Sequence, residues 1–225
     1  MTPGLSIIVP ALNEAAGIAA TLSALAPLRA RGAEVIVVDG GSNDGTAALA
    51  AAHADRVVAS PRGRARQMNA GAAVARAPLL LFLHADTRLP EGADRAIQAA
   101  IGRGAGWGRF DVHIDGRAHM LRVVAVMMNW RSRLTGIATG DQAIFVTREA
   151  FNRIGGFPDQ PLMEDIALSC RLRRVAPPAC LRGRVVTSGR RWEQRGVWRT
   201  IFLMWRLRWR YWRGASPQAL AEAYR

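Results

Sequence analysis

The run LLLFLHADTRLP, residues 79–90, decides how the rest of the chain is read. Its opening apolar stretch has the length of a buried strand, yet the run continues into His84 and Asp86, groups that are expensive to bury without partners. An acid that stops a strand either faces water in a loop or stands at the carboxyl edge of a sheet, where open α/β sheets place their ligands. The choice turns on whether other segments bring polar groups to the same edge.

Upstream, LSIIVP, EVIVVD and RVVAS read as three further strands. Between them, residues 14–28, 45–53 and 65–75 read as helices, rich in Ala and broken by Gly or Pro. This alternation is the pattern of βαβ units and predicts an α/β fold, with a mostly parallel central sheet flanked by helices. Later in the chain GRFDVHI, DQAIFVT and LRGRVVTS are strand candidates, and residues 118–134, 164–175 and 197–213 are helix candidates. No internal repeat or low-complexity linker interrupts them. The chain has 225 residues, half of them hydrophobic, enough for one sizeable core rather than two. That core is expected over residues 1–194, with a helical appendage over 195–225.

The formal net charge is +14, and every basic residue other than His is Arg. Such a balance points to an anionic partner: phosphates, a lipid surface or nucleic acid. The absence of Lys excludes a lysine Schiff base and a P-loop lysine, and leaves the cations in the form suited to bidentate phosphate contacts. Two cysteines, Cys170 and Cys180, in apolar segments argue against a disulfide framework or a thiolate metal site and fit a reduced, cytoplasmic protein. The start MTPGLSIIVP enters a strand without the pattern of a signal peptide. The longest uncharged apolar stretches, such as VVAVMM and IFLMW, fall far below the roughly 20 residues needed to span a bilayer.

Three polar clusters follow strands: PALNEAAG, DGGSNDGT and HADT. In one parallel sheet they converge. A dinucleotide-binding Rossmann unit would use Asp39 for a ribose but needs glycines in its first turn, where this chain has Pro10, Ala11, Leu12, Asn13 and Glu14. A P-loop fails for the same reason.

The segments IIVPALNE, VVDGGSNDGT, GRARQMNAG, FLHADT, GDQAIFV and MEDIALSCRLRR, in this order and spacing, resemble the family 2 glycosyltransferases of the GT-A fold, in particular a small bacterial subgroup of short proteins. The likeness covers essentially the whole chain. It implies a GT-A-like, Rossmann-like sheet and transfer of a sugar from a nucleotide-diphosphate donor to an acceptor hydroxyl with inversion of configuration, Mg²⁺ or Mn²⁺ assisting. A nucleotidyltransferase on a similar sheet would instead release pyrophosphate from a nucleoside triphosphate.

Under the resemblance Pro10, Ala11, Asn13, Glu14, Asp39, Arg66, His84, Ala85 and Asp86 bind the nucleotide sugar. For Asn13 and Glu14 the alternative is helix capping; Asp39, flanked by Gly40 and Gly41, offers a carboxylate to a base or ribose. Arginines at a helix start oppose the helix dipole, so a phosphate explains Arg66 better than local stability does, while Arg62 and Arg64 read equally as a solvated face. The family's metal motif usually has two aspartates one residue apart; here the first is His84, which is expected on ribose or phosphate, with Asp86 as the metal ligand. Asp165 corresponds to the general base, with Glu164 supporting it or capping the helix, and Asp141 faces donor sugar or acceptor at the start of a strand. Gln142, Arg190, Arg191 and Trp192 are expected on the acceptor, the last three resembling an arginine-tryptophan box whose glutamine pair is absent. A polymerising synthase is disfavoured.

In GVWRTIFLMWRLRWRYWRG, residues 196–214, helical spacing puts Trp198, Ile201, Phe202, Trp205, Trp209 and Trp212 on one face beside a stripe of Arg199, Arg206, Arg210 and Arg213. Two readings are open: the aromatic face packs on the catalytic core, or it lies on an anionic bilayer such as the inner face of the plasma membrane, which would suit a lipid-linked acceptor. Basic residues among aromatics also fit a nucleic-acid-binding protein, but no recognised motif accompanies them and no nucleic-acid partner is expected.

Overall fold

The computed structural model describes residues 3–224. In chain order the elements are β1 (Ser6–Ala11), α1 (Ile18–Ser23), α2 (Ala26–Ala30), β2 (Glu34–Asp39), α3 (Thr46–Ala51), β3 (Arg56–Ala59), α4 (Arg64–Val74), β4 (Leu79–Phe82), β5 (Thr87–Arg88) and α5 (Ala93–Gly102). There follow β6 (Trp107–Asp115), α6 (Met120–Thr135), β7 (Ile144–Thr147), α7 (Arg148–Arg153), α8 (Glu164–Leu172), β8 (Ala179–Ser188), α9 (Arg190–Arg195), α10 (Val197–Trp212) and α11 (Pro217–Tyr224). The strands form one sheet in the order β3-β2-β1-β4-β7-β6-β8-β5.

Strands β1 and β2 bury every residue, as their unbroken apolar runs require of a sheet covered on both faces. Ile7 and Val9 of β1 enter one core layer with Leu22, Val35 and Ile97, while Ile8 enters the other with Ile36, Met68 and Leu80. The pairs β1–β2, β1–β4, β2–β3 and β6–β8 are parallel; β7 runs antiparallel to both β4 and β6. The sheet is therefore mixed but mostly parallel along its first half. Because β7 is reversed, the segment entering it reaches the same edge as the segments leaving β1 and β4.

Several expected elements end differently. The residue 14–28 helix is two helices, with Gly17 as N-cap of the first and Pro27 near the start of the second. The strand through Asp86 stops at Phe82, after which Leu83 still donates its N–H to Ile8 at 3.0 Å. DQAIFVT yields a strand only from Ile144: Gly140–Gln142 forms a single 3-10 turn, and Ala143 takes a φ of 47° to enter the strand. Elements β5, α5, α7 and α9 lie where the sequence reading assigned none, and α11 is a second helix within the expected C-terminal appendage.

Helix α10 does not pack its aromatic face. Its buried residues are Thr200 and Leu207, and Leu207 joins Met163 and Leu220 in a small separate core. Trp198, Phe202, Trp205, Trp209 and Trp212 remain 58–80% exposed, which overturns the core-packing reading.

Candidate active site

The segments at this sheet edge surround a cleft of about 310 Å³. Pro10 at the end of β1 and Glu14 just beyond it form one side, His84, Ala85 and Asp86 after β4 the floor, and Asp141 from the turn into β7 another side. Arg190, Arg191 and Trp192 of α9 close it, together with Arg64 of α4 and Thr200, Met204 and Tyr224 from the last two helices. A smaller pocket of about 110 Å³ shares His84, Asp141, Arg64 and Arg191 with the cleft and adds Glu164 and Asp165 at the start of α8.

The charges are arranged in pairs. Arg190 lies 3.6 Å from Glu14, and Arg64 lies 3.4 Å from the almost fully buried Glu164. Burial pushes the Glu14 carboxyl above its ordinary value and the charge of Asp86 adds to this, against the pull of Arg190. Burial likewise raises Glu164, the neighbouring Asp165 adding to it and Arg64 opposing. For Asp141 burial works upward too, but the hydrogen bond from His84 and the charges of Arg64 and Arg191 outweigh it and hold the carboxyl below its usual value. Asp165 accepts from the backbone N–H of Gly140 at 2.9 Å and of Ile166 at 2.7 Å, tying the start of α8 to the turn that carries Asp141.

Four expected residues are placed otherwise. Arg66 makes a 2.8 Å exposed ion pair with Asp159 and is absent from the cleft wall; Arg64 stands there instead. The signal was present, since residues two apart on a helix point about 200° apart, so α4 can offer the cleft one of the pair but not both. Gln142 is fully buried, its Oε1 accepting from the Thr139 N–H at 3.2 Å, and does not face the cleft. Asp39 accepts from the N–H groups of Gly41 and Ser42, each at 3.0 Å, and holds its own loop rather than lining the cleft. Asn13, at a φ of 54°, accepts from the Asn43 N–H at 3.0 Å and joins the two loops. Glu14 is not a helix cap, because α1 begins only at Ile18.

His84 lines the cleft, its Nδ1 3.3 Å from Asp141 and its Nε2 buried without a hydrogen-bond partner among the described residues. Asp86 is exposed, and its carboxylate accepts a long 3.4 Å contact from the Thr87 hydroxyl. Among the described residues no three His, Cys, Asp or Glu side chains group to hold a metal unaided. One hard carboxylate beside a cationic cleft fits an ion that arrives with diphosphate oxygens and water, the usual manner of Mg²⁺. Sequence reasoning also missed Thr200, Met204 and Tyr224, whose approach to the cleft depends on how the last helices fold back.

Comparison with known proteins bears on this geometry. A family model described as "Glycosyl transferase family 2" matches residues 6–157. An uncharacterized glycosyltransferase of Mycobacterium tuberculosis is 31% identical over 138 residues, 57% of this chain and 59% of its own. The chain thus spans less than two thirds of the length of the curated relatives it matches. Mannosyltransferase PcManGT from Pyrobaculum calidifontis, solved with GDP-Man and Mn²⁺, is similar over 100% of this chain and 69% of its own, with a TM-score of 0.66 and 21% identity. TarS 1–349 of S. aureus in complex with UDP-GlcNAc matches 82% of this chain and 58% of its own, at a TM-score of 0.64 and 17% identity. Glucosyl-3-phosphoglycerate synthase from Mycobacterium tuberculosis, solved with Mn²⁺, UDP and phosphoglyceric acid, matches 82% and 69%, at a TM-score of 0.60 and 20% identity.

Proposed function

Because the chain belongs to glycosyl transferase family 2 and has the GT-A-like α/β fold of its solved neighbours, we propose that its cleft binds a nucleotide-diphosphate sugar and passes the sugar to an acceptor hydroxyl with inversion. The observation that carries this reading is the meeting of Glu14, Asp86 and Asp141 with Arg64, Arg190 and Arg191 around one cavity. A diphosphate needs cations on one side and, for a bridging ion, a hard carboxylate on the other.

In this reading Asp86 would hold a Mg²⁺ or Mn²⁺ ion, which when bound would supply Lewis-acid stabilisation of the leaving group. Arg190 and Arg191 face the phosphates. Asp165 accepts the proton of the acceptor hydroxyl, whose oxygen bonds to the anomeric carbon as the bond from that carbon to the diphosphate oxygen breaks. The electron pair leaves with the nucleoside diphosphate. A single in-line displacement inverts the anomeric centre. His84 positions Asp141, which stands between donor cleft and base. The exposed aromatic face of α10, bordered by arginines, supports docking on an anionic membrane surface; among the described residues no helix is long and apolar enough to cross a membrane.

The test is a thermal-shift panel of nucleoside diphosphates and their sugars, with and without Mn²⁺, since a ligand of the native state raises the melting temperature by mass action. Stabilisation by at least one nucleotide sugar, enhanced by Mn²⁺, is expected. A flat response across the panel overturns the reading.

A further inference from the structure

A cavity of about 440 Å³ between α6 and α10 takes no part in the chemistry above. Met127 and Met128 of α6 line it with Ile201 and Trp205 of α10, so its walls are mainly apolar. Set into this wall is Arg131, whose Nε and Nη2 are buried with no hydrogen-bond partner among the described residues. A guanidinium keeps its charge in any protein setting, so burying one unpaired costs stability that a structural role does not repay. Burial pushes this group below its ordinary value, and the charges of Asp165 and Asp141 pull it back without bonding to those two atoms.

The cavity's position supplies the second argument. Asp141 lines it, the same residue that lines the donor cleft and the pocket of Asp165. The two helices that form its walls also carry exposed apolar surface, with Trp130 and Leu134 of α6 64% and 78% exposed and Phe202 and Trp205 of α10 close to 60%. The groove thus joins an apolar surface to the residues around Asp141, with two unpartnered guanidinium nitrogens of Arg131 inside.

We propose that this groove is the acceptor site and that the acceptor is an anionic amphiphile, its apolar tail between α6 and α10, its anionic group on Arg131 and its hydroxyl beside Asp141. The proposal rests on the donor assignment above and adds the chemical class of the acceptor. An apolar tail matches the methionine and tryptophan walls, and an anion satisfies the orphan donors of Arg131. Arg208, which lines both this groove and the pocket of Asp165, adds positive charge at the junction.

The experiment titrates the protein with dodecyl phosphate, dodecanol and inorganic phosphate, each below any micelle-forming concentration, and follows binding by titration calorimetry. Dodecyl phosphate should bind saturably, dodecanol at least tenfold more weakly, and inorganic phosphate not at all over the same range. Arg131→Met should lower dodecyl phosphate affinity at least tenfold, to the level of dodecanol. Ile201→Trp, which fills the groove from the opposite wall without removing the charge, should weaken both amphiphiles. Unchanged dodecyl phosphate binding in either variant, or inorganic phosphate binding as well as the amphiphile, overturns the proposal. Nucleoside diphosphate binding with Mn²⁺ is measured in parallel and should be unchanged in both variants. Its loss in the wild type with amphiphile binding intact sinks the donor assignment, whereas the reverse pattern sinks the acceptor proposal alone.

Discussion

His84 Nδ1 lies 3.3 Å from Asp141 Oδ1, while its Nε2 packs so close to Gly140 that a Cβ there would stand 2.2 Å from it. The glycine is required by this approach, and its N–H also holds Asp165. Gly140→Ala must therefore push His84 aside and disturb both acids. The expected outcome is a destabilisation of about 1–3 kcal/mol, the usual cost of overpacking, together with a loss of turnover larger than the unfolded fraction explains. Melting curves and steady-state rates on the same preparation check it.

Asp86 is exposed and makes no strong bond within the protein, so its removal should spare the fold. Asp86→Ala is expected to keep the wild-type melting temperature and to lose the Mn²⁺ enhancement of nucleotide binding. Titration calorimetry with and without the ion measures this. Unchanged metal-dependent binding would reassign the ion to another group.

Asp165→Asn should retain donor binding and reduce transfer by a factor on the order of 100 or more, the scale of a positioned general base. Glu164→Gln should be milder, because Glu164 is buried against Arg64 and its carboxyl is already raised toward the neutral form. A comparison of kcat with nucleotide affinity separates the two roles, and near-normal turnover in Asp165→Asn would leave that residue a helix-capping acid.

Glu34, 2% exposed, accepts from the Ser6 hydroxyl at 2.7 Å and from the Arg76 N–H and guanidinium at 2.9 and 2.8 Å. Burial opposes its ionisation, yet these bonds prevail and lower its pKa from 4.5. A folded-state pKa below the unfolded one stabilises the fold above the unfolded value, and that contribution is lost as pH falls through the folded value. Glu34→Gln is expected to cost about 1–3 kcal/mol near pH 7. The gap from wild type should begin to narrow as pH falls below 4.5, where the unfolded carboxyl takes up its proton, and close as pH falls through the lower folded value. Urea titrations across the acid range check both the magnitude and the direction.

Trp205 and Trp209 are each 58% exposed. Replacing both with Ala should leave the melting temperature within about 1 °C, as is usual for surface changes in a chain of this size. The same double variant should release the protein from anionic vesicles, to which the wild type is expected to bind less as salt screens the arginine stripe. A melting temperature lowered by several degrees with vesicle binding intact would return the tryptophans to a packing role.

Local pattern alone determined the first half of the sheet: LSIIVP, EVIVVD and RVVAS are strands within a residue of where their apolar runs put them, because a strand buried on both faces leaves an unbroken hydrophobic signature. It also located the polar groups that follow β1 and β4, since Glu14, His84 and Asp86 meet at one edge as parallel pairing requires. Tertiary structure decided the rest. The antiparallel insertion of β7 brought Asp141 to that edge and buried Gln142 behind it, a choice made by pairing with β4 and β6 rather than by residues 140–147 themselves. The rotation of α4 on the sheet selected Arg64 over Arg66, and the fold of the last two helices turned the tryptophans outward while closing the cleft with Tyr224. Periodicity reports that a helix has two faces; which face meets the core is fixed by what surface the other elements leave uncovered.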